Sequence, residues 1–520
     1  QKRGRKTVKQ ETHNPAAGTP PPHAGAAAER AAIDRSGRVP VLFFFGSALF
    51  WLLVGTFFAI VTSIKLHDAE FMTRAPLPDA VKFQTGEFLK ANPLSMQDVG
   101  FLTFGRFRAA HLNSVAYGWA SSAAIGVGVW LMARLCRVPL RRPALVTGAG
   151  VLWNIGIAVG IAAILAGQST SVEWLEFPPY AAIILGIAYA IIAIWAVEMF
   201  AARQPGHVYV TLWYVLAAFF WFPWLYASAN ILILLKPVQG SVQAIVNWWF
   251  GHNVLGLWFT PIGIGAAYYM IPKVIGRPIH SYYLSAIGFW SLALFYSWNG
   301  GHHLIGGPLP AWVITASIVA SVMMVIPVVV TAINHHMTTK GHFHMLRYSP
   351  TLRFVVFGAM SYTLVSLQGS SMAIRSLNEI THFTHYTIGH AHFGLYAFFT
   401  MIMFGSMYYI VPRLCGCEWR SAYLIRLHFW TAAYGIVAMV AALTIGGLVQ
   451  GLMLADPAKD FLGEILAITK PYLVGRSLSG VLLSVGHVVF AYHFALMVLQ
   501  LGRREGGPVY FNPVPGEVLP

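Results

Sequence analysis

Residues 386–412 of the sequence read YTIGHAHFGLYAFFTMIMFGSMYYIVP, a stretch that contains no Asp, Glu, Lys or Arg. A helix of this length crosses the roughly 30 Å hydrocarbon core of a bilayer. The whole chain has the same character, since 57% of its 520 residues are hydrophobic and only 10% are charged. Soluble domains carry about 25% charged residues. The composition therefore indicates an integral membrane protein and excludes a soluble globular one.

Apolar stretches of similar length recur along the chain and predict twelve membrane-spanning helices. Helices are favoured over a β-barrel because the period-2 alternation of barrel strands is absent. The predicted fold class is therefore all-α, a polytopic bundle of twelve transmembrane helices. The predicted spans are 40–64, 109–133, 144–166, 178–201, 208–235, 246–272, 281–300, 310–335, 351–374, 386–412, 427–451 and 474–501.

The chain outside this bundle is predicted to form two tails. Residues 1–39 carry several Lys and Arg residues and then a run of Pro, Ala and Gly, which is typical of a disordered basic tail. Residues 40–502 are predicted to form the twelve-helix domain, and residues 503–520 a second tail. Most of the 34 Lys and Arg residues lie in the N-terminal tail or in loops on its side, which predicts that both termini are cytoplasmic. Membrane topology thus explains the net charge of +16, and no nucleic-acid partner is expected.

All three cysteines of the sequence lie in loops that the charge pattern assigns to the cytoplasm, where thiols stay reduced. Cys415 and Cys417 form a Cys-Gly-Cys pair, which is a weak metal-binding signal and is interpreted as a chance pairing. The sequence contains no Cys-x-x-Cys-His motif. We therefore expect no covalently attached c-type heme on this chain.

Six of the 20 histidines lie near the predicted outer ends of four helices. An ionisable side chain inside a membrane span is costly, and it is a functional candidate for that reason. A single histidine at such a position is more often a hydrogen-bonded interfacial residue, but six at one depth indicate a cluster. These residues are His111, His252, His302, His303, His390 and His392.

The spacing of two of these histidines predicts two separate binding sites. His390 and His392 are two residues apart on the tenth predicted helix and project about 200° apart. One helix could then ligate two hemes. His111 could face one of them as a second axial ligand, whereas the other iron would keep an open position.

The remaining three histidines predict a metal site. His252, on the sixth predicted span, can join His302 and His303, at the outer end of the seventh. Imidazole suits copper, zinc or iron, and three protein ligands leave one position for a substrate. Beside an open heme iron, this site would form a two-metal pocket for a diatomic molecule. Tyr296 could supply a proton and an electron there, although an interfacial aromatic residue is the simpler interpretation.

The chain contains the segments FGRFRAAHLN (104–113), WWFGHN (248–253), YSWNGGHH (296–303) and TIGHAH (387–392). These segments resemble the signatures of the catalytic subunit of cbb3-type, or C-family, heme-copper oxidases, and the resemblance extends over essentially all twelve spans. It implies a terminal oxidase of the bacterial inner membrane that reduces O2 to water and translocates protons. It also implies that cytochrome c is the electron donor and that c-type heme subunits of the same complex deliver the electrons.

The resemblance assigns roles to the clustered residues. It implies two b hemes and one copper ion. His111 and His392 would ligate the low-spin heme, and His390 the high-spin heme. The three-imidazole site would bind the copper, and Tyr296 would be covalently joined to the copper ligand His252.

The resemblance also suggests residues that interact with the heme propionates. Arg106 and Arg108 are expected to pair with them, because guanidinium groups bind carboxylates bidentately. Glu173 and Glu176 are spaced like the family's Glu-x-x-Glu. Glu173 is therefore a candidate ligand of a calcium ion near the propionates, although exposed loop glutamates are usually just solvated.

The resemblance further suggests one proton path from the cytoplasm. Tyr269, Ser285 and Tyr362 are candidates for it, although polar residues in a bundle often only bond neighbouring helices. The chain departs from the family at Gln368-Gly369, where Glu-Gly is expected. An amide carries no titrating proton, so either proton handling near the high-spin heme or the potential of that heme is expected to differ.

Two other functions would also place histidines inside a helical membrane bundle. A nitric oxide reductase shares the scaffold but uses non-heme iron with an added glutamate ligand. The stretch from His252 to Met270 contains no acidic residue and Tyr296 is present, which both favour the oxidase. A cofactor-free transporter would use the histidines as a proton relay, but the opposed positions of His390 and His392 argue against it.

Overall fold

The computed structural model describes residues 22–68, 71–72, 100–505 and 507–511. Over these residues the chain forms twelve principal helices and no β-strand, apart from a single antiparallel bridge between Glu418 and Arg503. The prediction of an all-α bundle is confirmed. The helices are α1 (Pro22–Lys65), α2 (Phe104–Cys136), α3 (Pro143–Leu165), α4 (Pro179–Ala201), α5 (Val210–Leu235), α6 (Ser241–Ile275), α7 (Tyr282–Tyr296), α8 (Ala311–Thr339), α9 (Pro350–Met372), α10 (His385–Cys415), α11 (Ala422–Leu454) and α12 (Phe461–Val498).

Eleven of these helices are long and apolar enough to cross a membrane, and α7 is the exception. With 15 residues it is about 22 Å long. The chain then continues as a 3₁₀ turn, Asn299–Leu304. His302 and His303 therefore lie on a tight turn and not on the end of a long helix. We call the end of the bundle at which α1 begins the inner end, and the opposite end the outer end.

The helices that carry most of the predicted site histidines form the centre of the bundle. In the most apolar 18-residue stretch of α2, α6 and α10, respectively 94%, 89% and 78% of the residues are buried inside the protein. The corresponding share in the other membrane-length helices is 39–56%. The helices at the periphery of the bundle expose more of their surface, as expected of helices that face lipid. The central position of α2, α6 and α10 brings their side chains within reach of one another.

Each of these three central helices contains a π-helical segment just beyond its predicted ligand. The segments are Ser114–Ala120 in α2, Val254–Phe259 in α6 and Phe393–Thr400 in α10. A π-helical turn is rare and occurs frequently at functional sites. It changes the direction of the side chains that follow, so the histidine and the next turn of the helix need not keep regular α-helical spacing.

The first helix corrects the sequence prediction. Because α1 begins at Pro22, residues 22–39 are helical, and the prediction that all of 1–39 forms a disordered tail is wrong for this part. Residues 1–21 lie outside the described residues. Charges that are typical of a solvated tail are instead paired with the inner end of α2.

Two ion pairs connect this part of α1 to the inner end of α2 and to the residue that follows it. The carboxylate of Asp34 lies 3.2 Å from the guanidinium of Arg134 and accepts a hydrogen bond from the Trp130 indole at 3.0 Å. Nearer the start of the helix, Glu29 accepts two hydrogen bonds from Arg137, at 3.0 and 2.9 Å. The N-terminal turns of α1 are thereby docked against the bundle.

The predicted C-terminal tail, residues 503–520, is ordered in part. Phe511 is buried, and its backbone N–H donates to the carbonyl of Tyr348. The guanidinium of Arg353 lies 3.8 Å from the centre of the Phe511 ring. Residue 506 and residues 512–520 lie outside the described residues. The described end of the chain therefore packs against the inner end of α9.

The pair between Asp34 and Arg134 should contribute more to stability than the pair between Glu29 and Arg137. The side chains of the first pair are 12% and 8% exposed, and those of the second 34% and 60%. Removal of one partner of a buried pair leaves an uncompensated charge, which costs about 3–5 kcal/mol. We expect Arg134→Gln to lower the unfolding temperature of the purified protein in detergent, and Arg137→Gln to change it little. Equal losses in the two variants would contradict this ranking.

Candidate functional site

A cavity of ≈ 450 Å³ lies in the outer half of the bundle, between α1, α2, α6, α9, α10 and α12. The structure brings all six predicted histidines together around it. The residues that line it also include Tyr296, Arg108, Glu173 and Tyr362 from the sequence prediction. The chemistry that the sequence predicts is thus collected in one place.

Three imidazoles form the tightest group in this cavity. The ligand nitrogens of His252, His302 and His303 all lie within 4.8 Å of one another, with ring centres 4.4–5.3 Å apart. The Nδ1 atom of His302 is hydrogen-bonded to the hydroxyl of Ser321 at 2.8 Å, which fixes the ring and directs Nε2 inward. The arrangement fits one metal ion held by three imidazoles.

Glycines allow the 3₁₀ turn to pack against α6. A Cβ atom on Gly300 would lie 2.3 Å from the carbonyl oxygen of Trp248, so only glycine permits this close approach. The ring of His303 stacks on the Trp248 indole at 4.1 Å, with 10° between the planes. The turn therefore holds its two histidines against the helix that carries His252.

The other three histidines share one feature, which is that a protein acceptor lies against Nδ1. A neutral imidazole protonated on Nδ1 has its lone pair on Nε2, and this is the tautomer that can ligate a metal. Such a bond also fixes the orientation of the ring. The bonds are His111 Nδ1 to Gly55 O at 3.0 Å, His392 Nδ1 to Ile388 O at 2.8 Å, and His390 Nδ1 to Gln368 Oε1 at 3.2 Å.

These three histidines fall into two neighbourhoods. His390 is close enough to His252 and His302 to interact with them electrostatically. His392, two residues later, interacts instead with His111 and with Arg476. One helix thus presents one imidazole toward the three-imidazole group and another toward α2, as the spacing predicts.

Tyr296 lies beside the three-imidazole group. Its ring centre is 4.8 Å from that of His252, with 41° between the planes. The ring occupies space that Gly256 leaves open, because a Cβ atom there would lie only 1.7 Å from Tyr296 Cε1. Gly256 is one helical turn after His252, so α6 supplies both an imidazole and the gap that receives the phenol.

Only one of the two predicted arginines lies at the cavity. Arg108 lines the cavity and is paired with Glu173 at 2.5 Å, with Glu176 3.6 Å away. Arg106 does not line the cavity and donates a hydrogen bond to the Leu165 carbonyl at 3.0 Å.

Sequence reasoning missed Arg476, a buried cation on α12 that lines the same cavity. Its position near the start of the predicted last span made it resemble a residue of the flanking loop. The structure begins α12 at Phe461, so Arg476 lies well inside the helix. A charged residue inside a membrane helix was the signal that could have identified it.

The two glutamates of the third outer loop differ in environment. Glu173 is 38% exposed and pairs with Arg108. Glu176 is 4% exposed and accepts a hydrogen bond from Asn113 Nδ2 at 3.1 Å. Burial raises the pKa of Glu176 to about 7. Calcium binding at Glu173 stays a prediction.

The three predicted proton-path residues have different surroundings. Tyr362 is buried and lines the cavity, and Ser285 is buried and donates to the carbonyl of Tyr282 at 2.6 Å. Tyr269 faces away from both, with its ring 5.6 Å from Trp130. The adjacent Tyr268, which was not predicted, is 1% exposed and faces α8.

Known proteins resemble this chain in sequence and in fold. The family model described as cytochrome c and quinol oxidase polypeptide I matches residues 39–482. The chain belongs to this family. It is a heme-copper oxidase subunit I, the catalytic subunit of a terminal oxidase, and its cofactors are heme and copper.

Individual relatives agree with the family match. A cbb3-type cytochrome c oxidase subunit CcoN1 from Stutzerimonas stutzeri is 31% identical over 423 residues, which cover 78% of this chain and 89% of that protein. A cytochrome c oxidase subunit 1 homolog from Agrobacterium tumefaciens is 32% identical over 422 residues, or 78% of each chain. The structure of a heme-copper terminal oxidase dimer shows the same fold, with a TM-score of 0.65 and 16% identity over 93% of this chain and 85% of that one. The resemblance inferred from the four segments is confirmed.

The hydrogen bond between His390 and Gln368 is expected to affect the potential of the high-spin heme that the family resemblance assigns to His390. A carboxylate accepts from Nδ1–H more strongly than an amide does, and a more electron-rich imidazole stabilises the oxidised iron. We expect Gln368→Glu to lower the midpoint potential by on the order of 50 mV, as a hydrogen bond to a charged group is about 1 kcal/mol stronger. A redox titration followed by absorption spectroscopy measures it. Gln368→Leu, which removes the acceptor, should shift the potential upward, and equal shifts in both variants would contradict a role for this hydrogen bond.

Proposed function

We propose that this subunit I is that of a cbb3-type cytochrome c oxidase of the bacterial inner membrane. It would bind two b hemes and one copper ion and receive electrons from cytochrome c through c-type heme subunits of the same complex. The observation that carries this proposal is the convergence of six imidazoles on one cavity, in two neighbourhoods. The charge pattern supports cytoplasmic positions for both termini.

The six imidazoles would bind two heme irons and one copper ion. His111 and His392 would hold the low-spin heme, and His390 the high-spin heme. The group formed by His252 with His302 and His303 would hold the copper. When bound, the hemes and copper accept the electrons and supply the centre at which O2 is reduced to water.

Arg476 and Arg108 are the arginines placed to bind the heme propionates. Arg476 is buried, interacts electrostatically with His111 and His392, and has no ion pair with another described residue. A buried cation without a partner is costly inside a membrane, so an anionic group in the cavity would stabilise it. Arg106 is not placed for this role, because its guanidinium is directed to Leu165.

Tyr296 would hold a proton at its phenol oxygen beside the copper ligands. Its ring lies next to His252, which is consistent with the covalent bond expected from the family resemblance. The three-imidazole group contains no carboxylate among the described residues, which favours copper over the glutamate-ligated iron of a nitric oxide reductase.

Metal and heme analysis of variants tests this assignment. The purified wild type should contain one copper ion per two b hemes and consume O2 with reduced cytochrome c. His252→Gln should remove the copper and the activity while both hemes remain, because it deletes one of three copper ligands. His390→Gln should remove the high-spin heme signal. His336→Gln, at an exposed histidine on α8, should change neither.

Other metal contents identify the alternatives. Three irons and no copper in the wild type would support the nitric oxide reductase. Absence of b-type bands in a reduced-minus-oxidised spectrum would support a cofactor-free transporter.

A column of buried polar groups supports a proton route on the side of α8. His335 lies on α8 near the inner end, with its ring 4.7 Å from that of Tyr268. Asn334 Nδ2 lies 3.4 Å from the Tyr268 hydroxyl, and the ring of Tyr214 is 5.9 Å from that of Tyr268. Tyr362 lies near both Tyr268 and Tyr296.

This column, which we call the α8 column, replaces part of the predicted path. Tyr362 stays in it, and Ser285 lies one turn from Gly288, where a Cβ atom would be 3.4 Å from the Tyr214 hydroxyl. Tyr268 takes the place of Tyr269. Protons would enter near His335 and reach the hydroxyl of Tyr362.

Adjacent tyrosines provide a matched test of the α8 column. Tyr268→Phe removes a hydroxyl from the column and should slow O2 consumption by on the order of 10²-fold, since a positioned proton-transfer group contributes that much. Tyr269→Phe removes a hydroxyl that faces α2 and should leave the rate nearly unchanged. Oxygen-electrode assays with reduced cytochrome c measure both. A larger loss in Tyr269→Phe would restore the path predicted from sequence.

A further inference from the structure

One histidine in the wall of the cavity belongs to none of the metal-binding groups described above. His487, on α12, is 5% exposed, and both of its ring nitrogens are bonded to hydroxyl groups. Nδ1 lies 2.8 Å from the Thr56 hydroxyl on α1, and Nε2 lies 2.8 Å from the Tyr396 hydroxyl on α10. All three residues line the cavity, and we call them the inner triad.

The hydroxyl of Thr56 decides the tautomer of His487. Its oxygen lies 2.6 Å from the carbonyl oxygen of Leu52, so its hydrogen lies between them, since two oxygen lone pairs would otherwise be in contact. Thr56 therefore accepts a hydrogen bond from Nδ1–H of a neutral His487. Nε2 carries the lone pair and accepts from the phenol of Tyr396. The hydrogen bonds thus run in one direction, from the phenol through the imidazole to α1.

One partner of His487 adjoins the group that orients His111. Thr56 directly follows Gly55, whose carbonyl oxygen lies 3.0 Å from His111 Nδ1. Glycine lets α1 approach α2 here, because a Cβ atom on Gly55 would lie 2.7 Å from Val115 Cγ1. Any movement of Thr56 would therefore move the acceptor of His111.

The other partner of His487 belongs to the helix that carries His392. Tyr396 follows His392 by four residues and lies in the π-helical segment Phe393–Thr400. A π-helical turn changes the direction of the side chains that follow, and here the phenol reaches α12, with its ring centre 5.5 Å from that of His487. His487 thus connects the helix of His392 with the backbone that orients His111.

α12 is held against α1 at two levels of this neighbourhood. Nearer the outer end, the hydroxyls of Ser477 and Ser63 are 2.8 Å apart. Nearer the inner end, His487 is bonded to Thr56. Arg476, next to Ser477, precedes His487 by eleven residues. They are about 16 Å apart along the helix axis. Arg476 and the inner triad therefore lie at opposite ends of the cavity wall that α12 forms.

The inner triad offers the cavity no hydrogen-bond donor, because each of its polar hydrogens is used within the protein. The methyl and vinyl groups of a b-type heme need no donor, whereas carboxylates do. The inner triad therefore suits the apolar edge of a heme whose propionates lie near Arg476.

We propose that His487 is a positioning residue for the low-spin heme. It fixes the acceptor of His111 and the helix of His392 relative to each other, so that the two imidazole planes keep one mutual orientation when the heme binds. Because both of its ring nitrogens are occupied, His487 acts by holding two helices and transfers no proton. This inference rests on the proposed oxidase function.

Spectroscopy of the complete oxidase complex tests this role. The electron paramagnetic resonance g-values of a heme with two imidazole ligands depend on the angle between the ring planes. His487→Leu removes both hydrogen bonds, and we expect it to shift the g-values of the low-spin heme b. Transfer of this heme to apomyoglobin should become on the order of 10-fold faster, since the hydrogen-bond partners of metal ligands contribute that much to affinity.

His487→Gln is the conservative variant. The amide of glutamine supplies one donor for Thr56 and one acceptor for Tyr396, as the native imidazole does. We therefore expect His487→Gln to restore the wild-type g-values and the slow loss of heme. A shift as large as that of His487→Leu would contradict the role of the two hydrogen bonds.

Two tyrosines of α10 provide a matched control. Tyr396 is bonded to His487, and Tyr408 is bonded to the buried His428 at 3.0 Å. Tyr396→Phe keeps the aromatic ring and should shift the g-values in the same direction as His487→Leu. Tyr408→Phe removes an equivalent bond farther from His392 and should leave them unchanged.

The outcomes separate the positioning role from the proposed function. Unchanged g-values in His487→Leu, in a complex that retains both b hemes, would overturn the positioning role. An equal shift in Tyr408→Phe would overturn it as well, because it would indicate a general loss of packing. Tyr396→Phe decides the question where His487→Leu does not assemble. A wild-type complex without a low-spin heme b signal would instead overturn the proposed function.

Discussion

The metal chemistry of this protein depends on the orientation of imidazole rings inside a membrane bundle. A histidine in an apolar environment is neutral, and which of its two nitrogens can bind a metal depends on where its proton is held. Carbonyl oxygens of Gly55 and Ile388 and the amide of Gln368 lie against Nδ1 of three of the site histidines. Two backbone carbonyls and one side-chain amide therefore favour the tautomer whose Nε2 lone pair is directed to the cavity.

The helices that supply these rings achieve the required geometry by local departures from regularity. A π-helical segment follows the candidate ligand histidine in each of α2, α6 and α10, and a 3₁₀ turn holds His302 and His303. Regular α-helices present side chains at fixed angles, so they cannot satisfy both bundle packing and metal geometry at every position. The irregular turns separate these two requirements, since the site and the lipid-facing surface lie on different parts of the same helix.

The sequence was sufficient to predict those features that follow from composition and spacing. Apolar length predicts the helices, and the interval between His390 and His392 predicts their opposite directions. It was insufficient where a charged residue has a partner that lies far along the chain. Asp34 resembled part of a solvated tail because its partner Arg134 is on another helix, and Arg476 resembled a residue of the flanking loop because the start of α12 contains Lys470. Tyr268 and Tyr269 are adjacent and chemically identical, and only the rotation of α6 decides which one is buried against α8.

The gap at Gly256 limits which residues can occupy positions 256 and 296. The phenol ring of Tyr296 on α7 occupies the space that the missing side chain of Gly256 leaves on α6. A larger residue at either position would therefore clash with the other. Any side chain at position 256 would displace the phenol from the imidazole of His252. The identity of a residue that never touches a metal thus decides whether the tyrosine can remain beside it, and sequence divergence at these two positions must proceed in concert.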